Sequence, residues 1–498
     1  MNCDLTRLLP AVAAGAAAAF LLGASAEAAP GDVALIEAVR AQDLARARAL
    51  VRQGADVNQR QGDGATALHW AVHLDDAPAV ELLLTAGARA GVADDTGATP
   101  LFLACTNRRG AMVARLLRSG ADANAVLTSG ETALMTCARS GEAAGVQALL
   151  EAGARADTRE PAHQQTALMW AAARGHADAV RALLAGGADV RARSRAYPQT
   201  VTSEVTQRAG REELNYMVTR GGSTPLLFAA RSGDAASARL LLAAGADVND
   251  STPDGASTLV IAAHSGHTGV ATLLLESGAN PDAAAIGYSA LHAAVLRGDL
   301  ALVRALIAHR ATVNAVITKG TPMRRNGQDF ELPRTLVGAT PYLLGARFLE
   351  AEIMRALAAA GADTRKPMAD GATPLMAAAG MGIAPPATDE RRGSDRRGLS
   401  ILDGGKVEPD GRVVESVRTA LDLGSDLDAV NPAGETALHI AVTQGRDAVT
   451  QLLVESGAAL GVRNRRGQTP LGALLARPAA TPSRAALVDL MRRRGAVE

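Results

Sequence analysis

The chain is poor in aromatic residues and in cysteine. Its 498 residues include two Trp, four Tyr, five Phe and three Cys, although 48% of the residues are hydrophobic. The apolar content is therefore mostly alanine, leucine and valine, which suits thin, closely packed helices better than several ordinary globular cores. Three cysteines in a chain of this length exclude a disulfide-dense scaffold.

An excess of charge of one sign is also absent. The 51 basic and 51 acidic residues give a formal net charge of zero, and only three of the basic residues are lysines, Lys319, Lys366 and Lys406. This balance excludes bulk electrostatic attraction to nucleic acid or to a membrane surface. We therefore expect no nucleic-acid partner.

The first thirty residues have the pattern of an export signal. One basic residue precedes an apolar stretch from Leu8 to Gly23, and small residues at 24, 26 and 28 suit a signal peptidase. An uncleaved membrane anchor is the alternative, but the stretch is short for a span and Pro10 interrupts it. The pattern predicts a signal peptide over residues 1–28. The mature chain is then periplasmic or secreted, and not an integral membrane protein.

A repeat of about 33 residues fills the rest of the chain. A Thr-[Ala/Pro]-Leu tripeptide recurs in phase, Ser257 and Ser289 take the Thr position in variant copies, and Val33-Ala-Leu35 fits one period earlier. The tripeptides begin at Thr66, Thr99, Thr132, Thr166, Thr224, Thr340, Thr373, Thr436 and Thr469. These positions define twelve units, and such self-similarity predicts a solenoid rather than separate globules.

Each unit reads as two helices. In the repeat over residues 166–189, Thr166 is placed to cap a first helix, and Ala171 allows that helix to approach its neighbour closely. An apolar stripe over Val180–Leu184 has helical spacing, and Gly186-Gly187 ends the second helix. One such pair cannot bury its own apolar face, but a stack of pairs can.

This pattern resembles the ankyrin repeat. Gly64-Ala-Thr-Ala-Leu-His69, Gly434-Glu-Thr-Ala-Leu-His439 and Gly54-Ala-Asp-Val-Asn58 are nearly complete matches to its signature. The resemblance covers about 31–498 apart from three insertions. It implies an all-α ankyrin-repeat solenoid of stacked helix-turn-helix units, joined by β-hairpin-like turns and curved around a concave face. It also implies a protein-binding function without catalysis.

The insertions lie at about 191–222, 315–338 and 382–411, and we expect them to be loops. The first carries Tyr197 and Tyr216, and the second carries Phe330. Insertions in repeat proteins are common places for specific function, and tolerated decoration is the other interpretation.

Residues with reactive or metal-binding side chains are few. His69 and His73 have the spacing of two metal ligands, but His69 holds the family's Leu-His position, which favours a structural role. Cys105 and Cys137 lie in the first helices of adjacent repeats. Because helix axes lie about 8–10 Å apart and a disulfide needs Cα atoms within about 7 Å, we expect no bridge. The sequence has no catalytic motif, so we expect no enzyme, cofactor or metal.

The best functional clue is a column of arginines. In ankyrin-like stacks, the residues seven and eight after the Thr, and those just before it, face the concave side. Guanidinium groups flanked by aromatic rings suit acidic protein surfaces, although arginine is also a frequent filler at this turn. The candidate partner-binding residues are Arg139, Arg174, Arg231, His264, Tyr288, Arg297, Arg347 and Phe348 in the repeats, with Tyr197, Tyr216 and Phe330 in the insertions.

Two functions follow as hypotheses. The first is a non-catalytic exported scaffold that docks a protein partner on its concave face and insertions, with assistance to an exported enzyme as one use. The alternative is a binder of a small anion, a metal or a polysaccharide, which a closed, aromatic-rich pocket under Tyr197 and Tyr216 would favour. We expect a monomer.

Overall fold

The computed structural model describes residues 33–207, 210–320, 336–380, 410–477 and 482–498. In this part of the chain, 24 helices form twelve consecutive pairs. Two compact units divide the described residues: 33–200 with 217–254, and 201–216 with 255–498. The expected signal peptide over residues 1–28 lies outside the described residues.

The first unit contains six helix pairs. The helices are α1 Ala34–Arg40, α2 Leu44–Arg52, α3 Ala67–His73, α4 Ala77–Thr85, α5 Pro100–Thr106, α6 Gly110–Arg118, α7 Ala133–Ser140, α8 Ala143–Glu151, α9 Ala167–Arg174, α10 Ala177–Ala185, α11 Pro225–Ser232 and α12 Ala235–Ala243. The first helices pack in chain order, so that α7 lies between α5 and α9. The second helices α6, α8, α10 and α12 pack in the same order.

The second unit repeats this arrangement. Its helices are α13 Thr258–Ser265, α14 Thr268–Glu276, α15 Ala290–Leu296, α16 Leu300–Ala308, α17 Pro341–Arg347, α18 Ala351–Ala359, α19 Pro374–Ala378, α20 Asp410–Asp422, α21 Ala437–Thr443, α22 Asp447–Glu455, α23 Pro470–Leu475 and α24 Pro482–Arg493. First helices again contact first helices, and second helices contact second helices.

The repeat over residues 166–189 shows why these residues form two helices. Thr166 has extended backbone angles, and its hydroxyl accepts a hydrogen bond from the Met169 N–H, as expected for an N-cap. Val180 and Leu183 are buried on α10, and Gly187 follows that helix in the left-handed region. The all-α ankyrin-type solenoid is confirmed.

The first insertion contains a β-hairpin where we expected only a loop. Strand β1 spans Tyr197–Gln207, strand β2 spans Gly210–Arg220, and the two pair with each other. Alternating Val and Thr residues in this segment favour strands. The central parts of the other two insertions, residues 321–335 and 381–409, lie outside the described residues.

A histidine bond links successive repeats. In His69, Nδ1 accepts from the Thr66 N–H at 3.0 Å, so Nε2 carries the proton and donates to the Ala98 carbonyl of the next repeat at 3.1 Å. His439 makes the same contacts, and His292 accepts in the same way from the Ser289 N–H but donates to the Ala315 carbonyl, at the start of the second insertion. The structural interpretation of His69 is confirmed.

An asparagine clamp joins successive turns. The Asn58 side-chain amide donates to the Gly87 carbonyl, and its oxygen accepts from the Arg89 N–H. Asn124 and Asn314 repeat this pair of bonds. The Asn that ends the repeat signature therefore fixes the spacing between turns.

Cys105 on α5 and Cys137 on α7 form a disulfide, with their Cα atoms 4.5 Å apart. Our expectation of no bridge was wrong. The expectation compared the distance between helix axes with a distance between Cα atoms. Each Cα lies about 2.3 Å from its axis, so axes about 8–10 Å apart bring facing Cα atoms to roughly 3.5–5.5 Å. Close packing of first helices therefore permits the bridge.

Candidate functional site

The first helices present a set of side chains that we call the first-helix face. It consists of the residues four, seven and eight positions after each Thr or its equivalent. One turn of helix separates the fourth and the eighth residue, so these positions share a side of each first helix. In the first unit this face carries arginines and aromatic rings.

Arg40 and Trp70 form the first contact of the face. The Arg40 guanidinium carbon lies 4.5 Å from the centre of the Trp70 ring, in cation–π geometry. The Trp70 ring is fixed on its other edge, because its N–H donates to the Gln61 side chain at 3.1 Å. His73 meets the same ring edge-to-face at 5.9 Å.

Arg139 and Trp170 form the equivalent contact three repeats later. The Arg139 guanidinium lies 5.0 Å from the Trp170 ring centre and pairs with Glu131, with Nη2 2.9 Å from Oε1. The Arg139 side chain is 17% exposed and that of Glu131 is 5% exposed. Burial raises the pKa of Glu131, while Arg139 and a hydrogen bond from Thr136 act in the opposite direction. Arg139 is therefore held in one position and keeps a small exposed surface.

Arg174 and Arg231 continue the face. Arg174 follows three Ala residues at the end of α9 and is exposed, and no ion pair with it occurs among residues that the structure describes. Arg231 is half-buried, and its guanidinium lies 5.9 Å from the Phe228 ring. The structure therefore brings three of our candidates, Arg139, Arg174 and Arg231, to one face of the first unit.

In the second unit, three candidates make contacts within the stack. The Tyr288 side chain is 1% exposed, and its hydroxyl lies 3.1 Å from His264 Nδ1. Arg297 donates from Nε to the His264 carbonyl at 2.6 Å. Burial, with Arg297 nearby, lowers the pKa of His264 to about 3. The expected surface position of Tyr288 was wrong, because its ring fills the space beside α13.

Arg347 is the last residue of α17, and Phe348 directly follows it. Phe348 is 1% exposed, and burial lowers the pKa of Arg347, which is half-buried. The expectation that Phe348 lies at the surface was also wrong, since the ring packs into the core. A docked partner could not contact Tyr288 or Phe348 without repacking the stack.

Of the three aromatic candidates in the insertions, the structure describes the side chain of one. Tyr197 begins β1, is half-buried, and lies 6.2 Å from the His163 ring. Tyr216 belongs to β2, and its side chain lies outside the described part. Phe330 also lies outside the described residues.

Sequence reasoning missed Arg40, Trp70, Trp170 and Glu131. A signal was present, because the chain has only two tryptophans and each lies four residues after its Thr. Arg40 and Arg139 likewise lie seven residues after Val33 and Thr132. Comparing these positions between repeats would have found both contacts.

Comparison with known families agrees with the geometry. A model described as "Ankyrin repeats (3 copies)" matches residues 35–126, 109–194, 207–285 and 226–317, and one described as "Ankyrin repeat" matches 433–465. These matches span more than half of the chain. The chain belongs to the ankyrin-repeat family. A search of curated proteins finds no match.

Some side chains of the first-helix face make hydrogen bonds within the ankyrin-repeat stack. In three repeats of the first unit, the side chain eight residues after the Thr donates to carbonyls at the end of the preceding first helix. Asn107 donates to Val72 and His73, Ser140 to Cys105 and Ser232 to Ala172. Position eight therefore bonds within the stack in these three repeats, whereas Arg174 at the same position is exposed.

Other features of this ankyrin-repeat chain bear on ligands. Among the described residues, no group of three His, Cys, Asp or Glu could hold a metal ion, and no helix is long and apolar enough to cross a membrane. A cavity of about 240 Å³ in the second unit is lined by ten residues, none aromatic, among them Thr364, Arg365 and Val430. It does not have the aromatic lining that would favour the small-ligand alternative.

Proposed function

We propose that this protein is an exported, non-catalytic scaffold that docks an acidic surface of a partner protein on the first-helix face of its first unit. Ankyrin repeats generally mediate protein–protein interaction, and ankyrin-repeat proteins are typically non-catalytic. The observation that carries the proposal is the position of Arg139 between Glu131 and Trp170, with the exposed Arg174 on the neighbouring first helix α9.

The contact chemistry supports an acidic partner. A guanidinium that is already held over an aromatic ring loses little side-chain freedom when it binds a carboxylate. Arginine and tryptophan also dominate the residues that carry binding energy in protein interfaces. Arg40 on Trp70 and Arg139 on Trp170 place two such pairs three repeats apart.

Two observations support export. The first thirty residues have the signal-peptide pattern, and the disulfide between Cys105 and Cys137 suits an oxidising compartment. Cleavage after residue 28 would remove Cys3 and leave only the two paired cysteines. A scaffold in that compartment would serve an exported partner, and assistance to an exported enzyme is one such use.

The docking surface is tested by charge reversal. Arg174→Glu with Arg231→Glu replaces two donors by carboxylates, so the partner captured by the wild-type protein from the exported fraction should bind at least about tenfold more weakly. The measurement is the dissociation constant of the purified pair at two salt concentrations.

The matched control is Arg48→Glu with Arg239→Glu. Both of these residues are exposed on second helices, α2 and α12, and the change in net charge is the same. Each surface substitution should alter stability by about 0.5 kcal/mol or less. Equal loss of binding in both double variants would mean that net charge matters and the face does not.

Export is tested by truncation. Removing residues 1–28 should leave the chain folded and retained in the cytoplasm, because the signal is read during export and the described helix pairs begin at Ala34. Fractionation with immunoblotting measures this. Wild-type protein found at full length in the cytoplasm would contradict the proposal.

A further inference from the structure

The two sulfur atoms of the disulfide lie in the interior of the first unit. Cys105 and Cys137 are both 0% exposed, and they join α5 to α7 across a sequence separation of 32 residues. Ser140, on the last turn of α7, strengthens the same junction by donating to the Cys105 carbonyl at 2.7 Å. The bridge therefore lies between two first helices that are already stacked.

The second helix of the repeat covers one of these sulfurs. A Cβ atom added at Gly145 would lie 2.7 Å from Cys137 Sγ and 3.4 Å from Cγ2 of Val113. The backbone of α8 thus lies directly on the sulfur, with Val113 of α6 beside it. Once α8 docks on α7 and α6, no oxidant can reach Cys137 without opening the stack.

The rates of helix stacking and of disulfide formation decide whether the two thiols are buried before they are oxidised. Helical repeats make mostly local contacts and assemble in microseconds to milliseconds, whereas disulfide formation takes seconds to hours depending on the oxidant. A slow small-molecule oxidant would therefore meet a chain whose thiols are already buried. A fast oxidant that acts during export would meet them while they are accessible.

We propose that a protein thiol–disulfide oxidoreductase oxidises Cys105 and Cys137 before α8 docks, and that this chain is one of its clients. One cysteine thiolate attacks the oxidant's disulfide, forms a mixed disulfide and releases one oxidant thiolate. The other cysteine thiolate then attacks the sulfur of the first, forms the Cys105–Cys137 bond and releases the second oxidant thiolate. The chain loses two electrons and two protons, and the oxidant becomes a dithiol. This inference rests on the proposed export of the chain and not on the docking face.

The first experiment compares thiol reactivity in the folded and unfolded chain. The mature protein is reduced in concentrated urea, refolded without oxidant, and treated with an aromatic disulfide reagent that reports free thiols by absorbance. We expect reaction in buffer to be about 100-fold slower than in urea, since it must await sub-global opening of the central repeats. Equal rates in a chain that circular dichroism shows to be helical would overturn the proposal.

A matched variant separates burial from general effects of urea. Thr106→Cys in a Cys105→Ala/Cys137→Ala background places one thiol at an exposed position on α5. This thiol should react at similar rates in buffer and in urea. If the reduced wild-type chain does not regain helix in buffer, oxidation must precede stacking, which supports the same order of events.

The second experiment tests the client relationship directly. A purified oxidoreductase whose second active-site cysteine is replaced by alanine is offered, as its mixed disulfide with a small thiol, to the reduced chain. The client in this trap is the Cys105→Ala chain, because it lacks the second thiol that would release the oxidoreductase. A covalent complex should form with this chain when it is unfolded, form far more slowly when it is refolded, and be absent with Cys105→Ala/Cys137→Ala. Equal yields from refolded and unfolded chain would contradict the proposal.

Discussion

At the scale of single residues, three histidines join the backbone of one repeat to that of the next. Each of His69, His292 and His439 accepts at Nδ1 from the capping residue's N–H and donates from Nε2 to a carbonyl of the following repeat or, for His292, of the insertion before it. Only the neutral ring can make both bonds, because protonation removes the acceptor at Nδ1. These contacts therefore make stacking dependent on pH.

His292 gives the clearest prediction. Burial lowers its pKa from 6.5 to about 4, so its contribution to stability is present above about pH 6.5 and is lost as the pH falls towards 4. Between pH 7 and pH 5 the loss from this one group is about 2 kcal/mol. The midpoint of urea unfolding of the second unit should fall accordingly.

The variant His292→Gln tests the assignment. It should unfold at lower urea than wild type at pH 7, because it loses the bond to the Ala315 carbonyl. Its midpoint should then change less than that of wild type between pH 7 and pH 5. An unchanged dependence on pH would show that other groups are responsible.

The sequence predicted some of these residue contacts and missed others for a physical reason. The capping role of Thr166 and the structural role of His69 follow from local backbone geometry, which a repeat signature reports. The Cys105–Cys137 bridge depends on the distance between two helices, and no local pattern reports that distance. The burial of Tyr288 and Phe348 likewise depends on neighbouring repeats.

At the scale of elements, the hairpin in the first insertion is anchored by a compact base. The Ser194 N–H donates to the Ser223 carbonyl, and the Ser223 N–H donates to the Ser194 hydroxyl, both at 3.0 Å. The Gly222 N–H donates to the Arg195 carbonyl at 3.3 Å. These bonds bring the two ends of the insertion together, so that the repeat register continues across it.

Gly221 should be the least replaceable residue of this base. Its φ is +75°, and an added Cβ would lie 1.9 Å from the Arg195 carbonyl oxygen. Gly221→Ala should therefore lower the free energy of unfolding by about 2 kcal/mol or more, because backbone strain adds to a clash with the Arg195 carbonyl oxygen. Urea unfolding of the first unit measures the loss.

Gly187→Ala is the matched control. Gly187 has a similar φ of +81°, but no atom lies within 4 Å of an added Cβ. Gly187→Ala should lower the free energy of unfolding only through backbone strain, by about 1 kcal/mol. Equal losses in the two variants would mean that the Arg195 carbonyl moves aside and that the base is not tightly built.

At the scale of the whole molecule, features that recur in every repeat could be predicted from the sequence, and features that occur once could not. Twelve helix pairs were predictable because one tripeptide recurs in phase and stacking is the only way to bury its apolar face. The hairpin of residues 197–220 was not foreseen, since it occurs once and no other copy provides a comparison. The arginine column stays a prediction, and the tryptophans under Arg40 and Arg139 were missed because each lies in the next repeat.

The asparagine clamp and the histidine bond have a consequence for how such a chain could have grown. Each uses a side chain of one unit and backbone atoms of the next, and every unit has the backbone atoms whatever its sequence. A gene segment that duplicates one 33-residue unit would therefore bring its own side chains and would find their backbone partners in whichever unit follows it. Copy number could change by tandem duplication without a compensating mutation elsewhere. Divergence of individual copies, such as the gain of a tryptophan or a cysteine pair, could then follow one unit at a time.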